Sequence, residues 1–225
     1  MTDVFSTVAS ESWLQGRHLF PLLEKHGASV DGTVLDLGCG ASPFRRFFPR
    51  ARQFLRIDRS NDDPEEIIAD ASALPLPDAS VDCVILSQVI GDVADLPALF
   101  REIGRVLVPG GSILVYETTS YPQHDLPHDC WRVLPGGLEW AAGQAGLEMA
   151  EVEYLGGYFG QLAMHWNIFI VGDLGGHAVT RPLARLARAV GNLACAGLDR
   201  LWPRPTLATD YFARLVKTPP AGRRI

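Results

Sequence analysis

The stretch VLDLGCGASPFRRFF, Val34–Phe48, decides the fold of this chain, because it joins an apolar strand to a glycine-rich turn. Gly38 and Gly40 allow backbone angles and close approaches that a Cβ would block, so a ligand can lie directly against the main chain here. Pro43 stands where the dinucleotide-binding pattern G-x-G-x-x-G has its third glycine. The turn therefore departs from that fingerprint.

The residues after the turn predict a short helix. Ser42 is a suitable N-cap and Pro43 a suitable first helical residue, while Pro49 would end the helix. The free N–H groups at the start of such a helix would face the turn.

Segments rich in valine, isoleucine and leucine recur along the chain between turn residues, which indicates buried strands. Helical patterns lie between them, and the clearest covers residues 96–111, where apolar residues share one face before a Pro-Gly-Gly stop. This alternation predicts an α/β fold with a parallel sheet, helices on both faces and ligands at the carboxyl ends of the strands. The predicted strands are TVLDLG (33–38), QFLRID (53–58), VDCVILS (81–87), SILVYE (112–117), LEMAEVEYL (147–155) and DYFARLVKT (210–218).

The length and composition favour one domain, since 225 residues with 47% hydrophobic content can bury a sizeable core. We expect a single domain over residues 1–225, with an N-terminal helical segment at 1–30 and an accessory insertion at 156–209. The second half of the insertion, residues 181–202, has the pattern of an amphipathic helix. We expect this helix to pack on its own domain, with a membrane surface or a dimer partner as the alternatives.

The charge and the cysteines exclude several classes of protein. A net charge of −6 has the wrong sign for gripping nucleic acid through its phosphates. No window supplies the about 20 uninterrupted apolar residues of a membrane span, and the N-terminus lacks a secretory signal pattern. The four cysteines form no C-x-x-C pair, which argues against structural zinc and a disulfide framework. We therefore expect a cytoplasmic protein, and leave its oligomeric state and peripheral membrane contact open.

Two aspartates downstream of the turn suggest a nucleoside site. Asp58 closes the second predicted strand, 20 residues after Gly38, where a carboxylate can accept hydrogen bonds from both hydroxyls of a ribose. Asp70 precedes a Leu-Pro-Leu-Pro-Asp turn, and its carboxylate can accept a hydrogen bond from an adenine amino group. Each aspartate alone could be a loop or cap residue, but their order after the glycine turn favours the functional interpretation.

From about Val34 to Leu155 the chain resembles the class I S-adenosylmethionine-dependent methyltransferases, through VLDLGCG, RID, ADASALPLPDASVDCVILSQVI and LFREIGRVLVPGGSILVYE in that order. The resemblance implies a Rossmann-like, doubly wound, seven-stranded and mostly parallel sheet, with DYFARLVKT as the antiparallel last strand after the helical insertion. It implies S-adenosylmethionine as the cofactor. The implied cofactor-binding residues are Asp36, Gly38, Cys39 and Gly40 at the methionine end, Asp58 at the ribose, Asp70 and Ala71 at the adenine, and Ser87 and Gln88 near the sulfonium.

The chain departs from the family pattern at two points. Ser42 stands where many relatives have the third glycine of G-x-G-x-G, and SQVIGDV lacks the histidine often found shortly after that strand. Asp92 is the acidic candidate that remains in this loop for a catalytic base.

The loop after SILVYE is the predicted acceptor side of the site, because it follows a strand whose carboxyl end faces the ligands. Its P-H-D-x-x-R pattern is similar to that of methyltransferases associated with glycan or polysaccharide biosynthesis. Methyl transfer is an in-line displacement that needs a base only when the acceptor is a poorly acidic hydroxyl. His128 is the first candidate base and His124 the second; the alternative is that His128, Asp129 and Arg132 form a structural cluster at a helix start.

The same loop carries four residues of metal-ligating type, but nothing else in the chain completes a recognisable site, and we expect no metal. These residues are His124, Asp125, His128 and Asp129.

The sequence favours methyl transfer to a hydroxyl of a small molecule or of a sugar or glycan precursor. One alternative is a nicotinamide-dependent oxidoreductase, which the altered glycine pattern and the lack of a Tyr-x-x-x-Lys pair disfavour. The other is a non-catalytic partner subunit that keeps the methyltransferase fold and uses residues 156–209 to bind an enzyme or a membrane.

Overall fold

The computed structural model describes residues 7–10, 12–60, 66–124, 126–170 and 180–218. Several predicted parts of the chain lie outside these residues. They are 1–6 and 11 of the N-terminal segment, Asp125 of the acceptor loop and 171–179 of the insertion.

Helices and strands alternate through most of the described chain. Along the chain they are α1 (Trp13–Gly27), β1 (Thr33–Leu37), β2 (Gln53–Asp58), β3 (Ile67–Ile68), β4 (Val81–Ser87), α2 (Leu96–Val106), β5 (Leu107–Thr118), α3 (Pro135–Gly143), β6 (Leu147–Leu155), α4 (Tyr158–Phe169), α5 (Arg181–Leu201) and β7 (Asp210–Lys217).

The strands form one seven-stranded sheet in the order β3-β2-β1-β4-β5-β7-β6. The pairs β1–β2, β2–β3, β1–β4 and β4–β5 are parallel, and antiparallel pairing is confined to the last strands. Leu37 of β1 lies beside both Ile57 of β2 and Leu86 of β4, so these three strands end at the same edge of the sheet. The predicted α/β fold with a mostly parallel seven-stranded sheet is confirmed.

The structure differs from the predicted elements at two strands. β3 has two residues, too short to give a periodic signal. β5 begins at Leu107 instead of Ser112, because the Pro-Gly-Gly segment forms an irregularity within the strand where Gly110 has a φ of +80°. The predicted helix stop consequently comes earlier, at Val106.

The chain forms two compact units. One comprises Met1–Leu22 and Tyr154–Tyr211, and the other comprises Leu23–Glu153 and Phe212–Ile225. We retain a single domain over residues 1–225, with segment 1–30 and insertion 156–209, as a proposal.

The larger unit has its core between the sheet and the apolar face of α2. Leu99, Phe100 and Ile103 of this helix are fully buried, as the sequence pattern predicts. The Asp95 side chain caps the helix by accepting a hydrogen bond from the Ala98 N–H at 2.9 Å. This packing fixes the parallel strands whose carboxyl ends carry the predicted site.

The smaller unit is built around the hairpin of α4 and α5. Asp199 of α5 caps the start of α4, accepting the N–H groups of Phe159 at 3.0 Å and Gly160 at 2.7 Å. A buried hydrogen bond of 2.9 Å joins the side chains of Asn167 and Asn192 across the two helices. These contacts set the face that each helix turns toward the other.

The amphipathic pattern of α5 is confirmed, but the prediction that its apolar stripe packs on its own domain is wrong. Leu183 and Leu186 are 68% and 61% exposed, and the buried residues of the helix are Ala184 and Asn192. The asparagine pair and the Asp199 cap turn the opposite face of α5 inward. Among the described helices, none is both long enough and apolar enough to cross a membrane.

Candidate functional site

The glycine turn after β1 is pressed against the loop that follows β4. Gly38 has a φ of +69°, in the left-handed region that favours glycine, and its N–H donates to the Ile57 carbonyl at 2.8 Å. A Cβ at this position would lie 2.4 Å from Cγ2 of Val89. Position 38 therefore requires glycine for both its backbone angle and its space.

Asp36 is buried beneath this turn and accepts a hydrogen bond from the Ser42 hydroxyl. Burial raises the pKa of its carboxyl group to about 7, although the Ser42 hydrogen bond and the charge of Arg56 act in the opposite direction. Asp36 thus holds the turn in place from below.

The predicted N-cap role of Ser42 is wrong, because its hydroxyl is bound to Asp36 instead. The segment that follows is a short 3₁₀ helix, Phe44–Phe47, with Pro43 in the cap position and no side-chain cap. A buried carboxylate needs a hydrogen-bond donor, and Ser42 is the donor that the turn supplies.

Asp58 ends β2 and faces the glycine turn. One oxygen of its carboxylate accepts the Gly40 N–H at 2.9 Å, and the other accepts the Ser60 N–H at 3.1 Å. Each carboxylate oxygen has a second lone pair, so both can still accept a hydroxyl of a ligand. The backbone bonds fix the direction in which that carboxylate points.

Asp70 forms a tight turn with Ser72. One of its oxygens accepts both the Ser72 N–H at 2.8 Å and the Ser72 hydroxyl at 2.7 Å, and these bonds lower the pKa of the Asp70 carboxyl group. Asp70 thus has the local loop role that the sequence left open, while it also lies on the wall of the cavity described below.

The loop behind Asp70 is braced from α2. Arg105 donates to the carbonyls of Leu74 at 3.0 Å and Leu76 at 2.8 Å, and Glu102 accepts the Leu74 N–H at 2.9 Å. These bonds hold the Leu-Pro-Leu-Pro-Asp turn in a fixed position.

Glu117, which the sequence reasoning missed, fixes the loop after β4. Glu117 is the last buried residue of β5 and is 6% exposed. One of its carboxylate oxygens accepts hydrogen bonds from the N–H groups of Val89 and Ile90, at 2.9 Å each. Gln88, just before them, has a φ of +57°. The signal in the sequence was an acid at the end of a predicted strand, the same signal that singled out Asp58.

The acceptor loop is organised by Arg132. Its guanidinium makes two hydrogen bonds to the Asp129 carboxylate, at 2.5 and 3.0 Å, and others to the carbonyls of Tyr121 and Pro122 at 3.0 and 3.1 Å. The Arg132 partner lowers the pKa of Asp129 to about 2. This cluster corresponds to the structural alternative for Asp129 and Arg132.

Two residues of this loop also bind the segment after β4. The N–H groups of Cys130 and Trp131 both donate to the Gly91 carbonyl, at 2.9 and 3.0 Å, and the Trp131 indole N–H donates to the Val93 carbonyl at 3.0 Å. The loop that carries His128 is consequently held beside the ends of β4 and β5.

Ligand atoms of Asp92, His124 and Asp129 lie within 4.8 Å of one another, which is close enough for a metal ion. Both oxygens of Asp129, however, face the Arg132 guanidinium. A cation already neutralises this carboxylate, so we assign the cluster to loop structure and propose no metal there.

A cavity of about 530 Å³ lies at the carboxyl ends of β1, β2 and β4. The predicted residues that line it are Gly38, Asp58, Asp70, Ala71, Gln88, Asp92 and His128. The predicted residues that do not line it are Asp36, Cys39, Gly40, Ser87 and His124. Their roles in binding and catalysis stay predictions.

The part of the chain that forms this cavity is also similar in sequence to a known protein family. Residues 35–115 match the family model described as "Methyltransferase domain". Over these residues the chain is similar to class I S-adenosylmethionine-dependent methyltransferase domains. The match covers the glycine turn, Asp58, Asp70 and the loop after β4, which supports the predicted family. The predicted cofactor, S-adenosylmethionine, is confirmed at this level.

Curated relatives of the methyltransferase domain act on different kinds of atom, according to their names. The chain is 31% identical over 115 residues to a "Ubiquinone/menaquinone biosynthesis C-methyltransferase" of Hahella chejuensis, which covers 42% of this chain and 46% of that protein. It is 30% identical over 122 residues to a "Malonyl-[acyl-carrier protein] O-methyltransferase" of Serratia marcescens. This alignment covers 49% of this chain and 48% of that protein. The chain thus spans about half the length of the curated relatives it matches.

Among solved structures, the chain is similar to a Haemonchus contortus phosphoethanolamine N-methyltransferase 2 in complex with S-adenosyl-L-methionine. The TM-score is 0.57 at 17% identity, over 95% of this chain and 58% of the other. At this identity the similarity shows the fold of the methyltransferase domain and not its acceptor. The predicted link to glycan biosynthesis has no support in these matches.

Proposed function

We propose that this protein transfers a methyl group from S-adenosylmethionine to a hydroxyl oxygen of a small molecule or of a sugar or glycan precursor. The observation that carries the proposal is that one cavity is lined by both the predicted cofactor residues and His128. The name of the Serratia relative supports oxygen as the acceptor atom, and that of the Hahella relative makes carbon the alternative.

The residues around the cavity fit the cofactor. Asp58 keeps acceptor capacity for two ribose hydroxyls, and Gly38 lines the cavity beside it. A volume of about 530 Å³ suits a ligand of this size, since small-molecule sites usually measure about 300–1,000 Å³. When bound, S-adenosylmethionine supplies an electrophilic methyl group on a positively charged sulfur.

The charge of the cavity disfavours the nicotinamide alternative. Asp58, Asp70, Asp92 and Asp95 line it, with Arg59 as the arginine among the lining residues. An acidic wall attracts a cationic sulfonium and repels the pyrophosphate of a dinucleotide. The cavity therefore supports S-adenosylmethionine over NAD.

On the acceptor side, we assign proton removal to His128. Its side chain is exposed to the cavity, and its loop is fixed by the Arg132–Asp129 pair and by the bonds of Trp131 to Gly91 and Val93. A base held this way can take the proton of a hydroxyl as it attacks. Asp92, on the same wall, is the second candidate, while His124 lies in the structural cluster instead.

Titration calorimetry with S-adenosylmethionine, S-adenosylhomocysteine and NAD tests the cofactor. Binding of the first two and not of NAD is expected, and the reverse would favour the oxidoreductase alternative. A mass-spectrometric screen for the gain of one methylene on candidate alcohols, sugars, carboxylic acids and activated-carbon acceptors tests the reaction. Cofactor binding without turnover on any of them would favour the non-catalytic partner subunit.

The four cysteines, Cys39, Cys83, Cys130 and Cys195, are free thiols in the structure. On this chemistry we propose that the protein works in the reducing cytoplasm.

A further inference from the structure

The α4–α5 hairpin carries exposed apolar side chains along both of its helices. On α5 the side chains of Leu183, Leu186, Val190 and Leu193 are 57–68% exposed. They recur at helical spacing along one face, whereas Ala184 and Asn192 are buried on the other. The most apolar face of this helix is therefore the one directed away from its own unit.

Helix α4 extends the same surface. Tyr158, Leu162, Trp166 and Phe169 follow one another at helical spacing and are 46–50% exposed. Trp166 packs against α5, because a Cβ added at Gly191 would lie 3.0 Å from its Cδ1. Trp166 thus lies beside α5, and we call the exposed apolar stripes of the two helices together the hairpin surface.

The hairpin surface is accompanied by positive charge. Arg181, Arg185, Arg200 and Arg204 are exposed along residues 180–204, together with the partly exposed Arg188. The acid in this range, Asp199, is used to cap α4. This segment is thus basic in a chain whose net charge is −6.

We propose that the hairpin surface docks on an anionic lipid bilayer. Leucine, tryptophan and tyrosine side chains are suited to the boundary between acyl chains and headgroups. The arginines of α5, which helical spacing places mainly on its polar face, are attracted by anionic headgroups. The α5 face extends about 27 Å from Leu183 to Leu201, so the helix can lie in the plane of the interface.

A second copy of the chain fits this surface less well. Two copies that joined through their hairpin surfaces would bring two basic segments together, since residues 180–204 of each copy hold five arginines and one acid, Asp199, which is already bound to α4. Like charges at an interface oppose association, whereas an anionic bilayer neutralises them.

Vesicle flotation of the full chain tests the proposal. The protein should float with vesicles of phosphatidylcholine mixed with phosphatidylglycerol, much less with pure phosphatidylcholine, and less again as salt is raised. The variant Leu186→Glu/Val190→Glu should lose at least about tenfold in binding, and Arg185→Gln about fivefold. These positions are exposed, so circular dichroism should show unchanged melting.

The matched control is Trp140→Glu, which changes a 67% exposed side chain of α3 in the larger unit and should leave flotation unchanged. Three results would overturn the proposal. One is no flotation with anionic vesicles, and another is equal flotation of the double variant. The third is that the wild-type protein is a dimer in light scattering, that the double variant is a monomer, and that neither binds lipid. This result would assign the surface to self-association.

Discussion

Gly38 and Val89 are so close that a Cβ on the glycine would lie 2.4 Å from the valine Cγ2. The contact joins the turn after β1 to the loop after β4, and both segments line the cavity. A change on either side of it should be transmitted to the other.

We predict that Gly38→Ala destabilises the protein more than Gly40→Ala. Both glycines have positive φ, which costs a residue with a Cβ about 1–2 kcal/mol. At Gly38 the added Cβ would also clash with Val89, whereas a Cβ at Gly40 would meet nothing within 4 Å. Such overpacking adds about 1–3 kcal/mol to the cost of Gly38→Ala. Urea denaturation measures the difference, and Val89→Ala should recover part of the loss in Gly38→Ala. Equal loss in the two glycine variants would contradict the contact.

Asp58→Ala should weaken S-adenosylmethionine binding by about ten- to a hundredfold, because a charged acceptor for two hydroxyls is worth about 1.5–3 kcal/mol. Calorimetry measures the affinity. Asp78→Ala is the control, as Asp78 pairs with Arg105 at the exposed end of the loop and does not line the cavity. Unchanged affinity in a folded Asp58→Ala protein would remove Asp58 from the cofactor site.

Asp36 should make the free energy of unfolding depend on pH. Burial raises the pKa of its carboxyl group from 3.8 to about 7, so the folded state keeps a proton that the unfolded state has released. This contribution is fully present below about pH 4 and is lost as the pH rises to about 7. Wild type should therefore lose stability over this range relative to Asp36→Asn, which does not titrate. A difference between the two proteins that stays constant or grows in favour of wild type would show that Asp36 is ionised in the fold.

His128→Asn should lower turnover by about 10²–10⁴-fold while leaving cofactor affinity intact, because it removes a general base and no cofactor contact. The loss should depend on pH. His124→Asn is the matched control, since His124 lies in the same loop but does not line the cavity. If His128→Asn instead turns over at a near-normal rate across pH, His128 belongs to the structural cluster and Asp92 or His124 becomes the candidate base.

The parts of the fold that follow from local pattern were predictable. β2 and β4 coincide with their predicted bounds, because short apolar runs between turn residues encode buried parallel strands. The aspartate at the end of β2 was identified by its distance from the glycine turn. The same logic would have found Glu117, had the end of β5 been treated as the end of β2 was.

Features that depend on long-range contacts were not predictable from the sequence. Ser42 has the chemistry of an N-cap, and only the presence of Asp36 beneath it decides otherwise. The periodicity of α5 shows that one face is apolar but not which face turns inward. That choice is made by Asn192 and Asp199, whose partners lie in α4 and the N-terminal segment.

The acceptor loop is held mainly by Arg132 and Trp131, near its carboxyl end. Arg132 fastens it to the Tyr121 and Pro122 carbonyls, and Trp131 fastens it to the segment after β4. We expect residues 123, 124, 126 and 127 to accept new side chains without disturbing the cofactor wall, because the bonds that hold the loop are made by the Arg132 and Trp131 side chains and by the His124 N–H, while His128 lines the cavity and is kept. Such an arrangement lets a lineage exchange its acceptor by rewriting four positions, and a library restricted to them is the shortest route to enzymes with altered substrate choice.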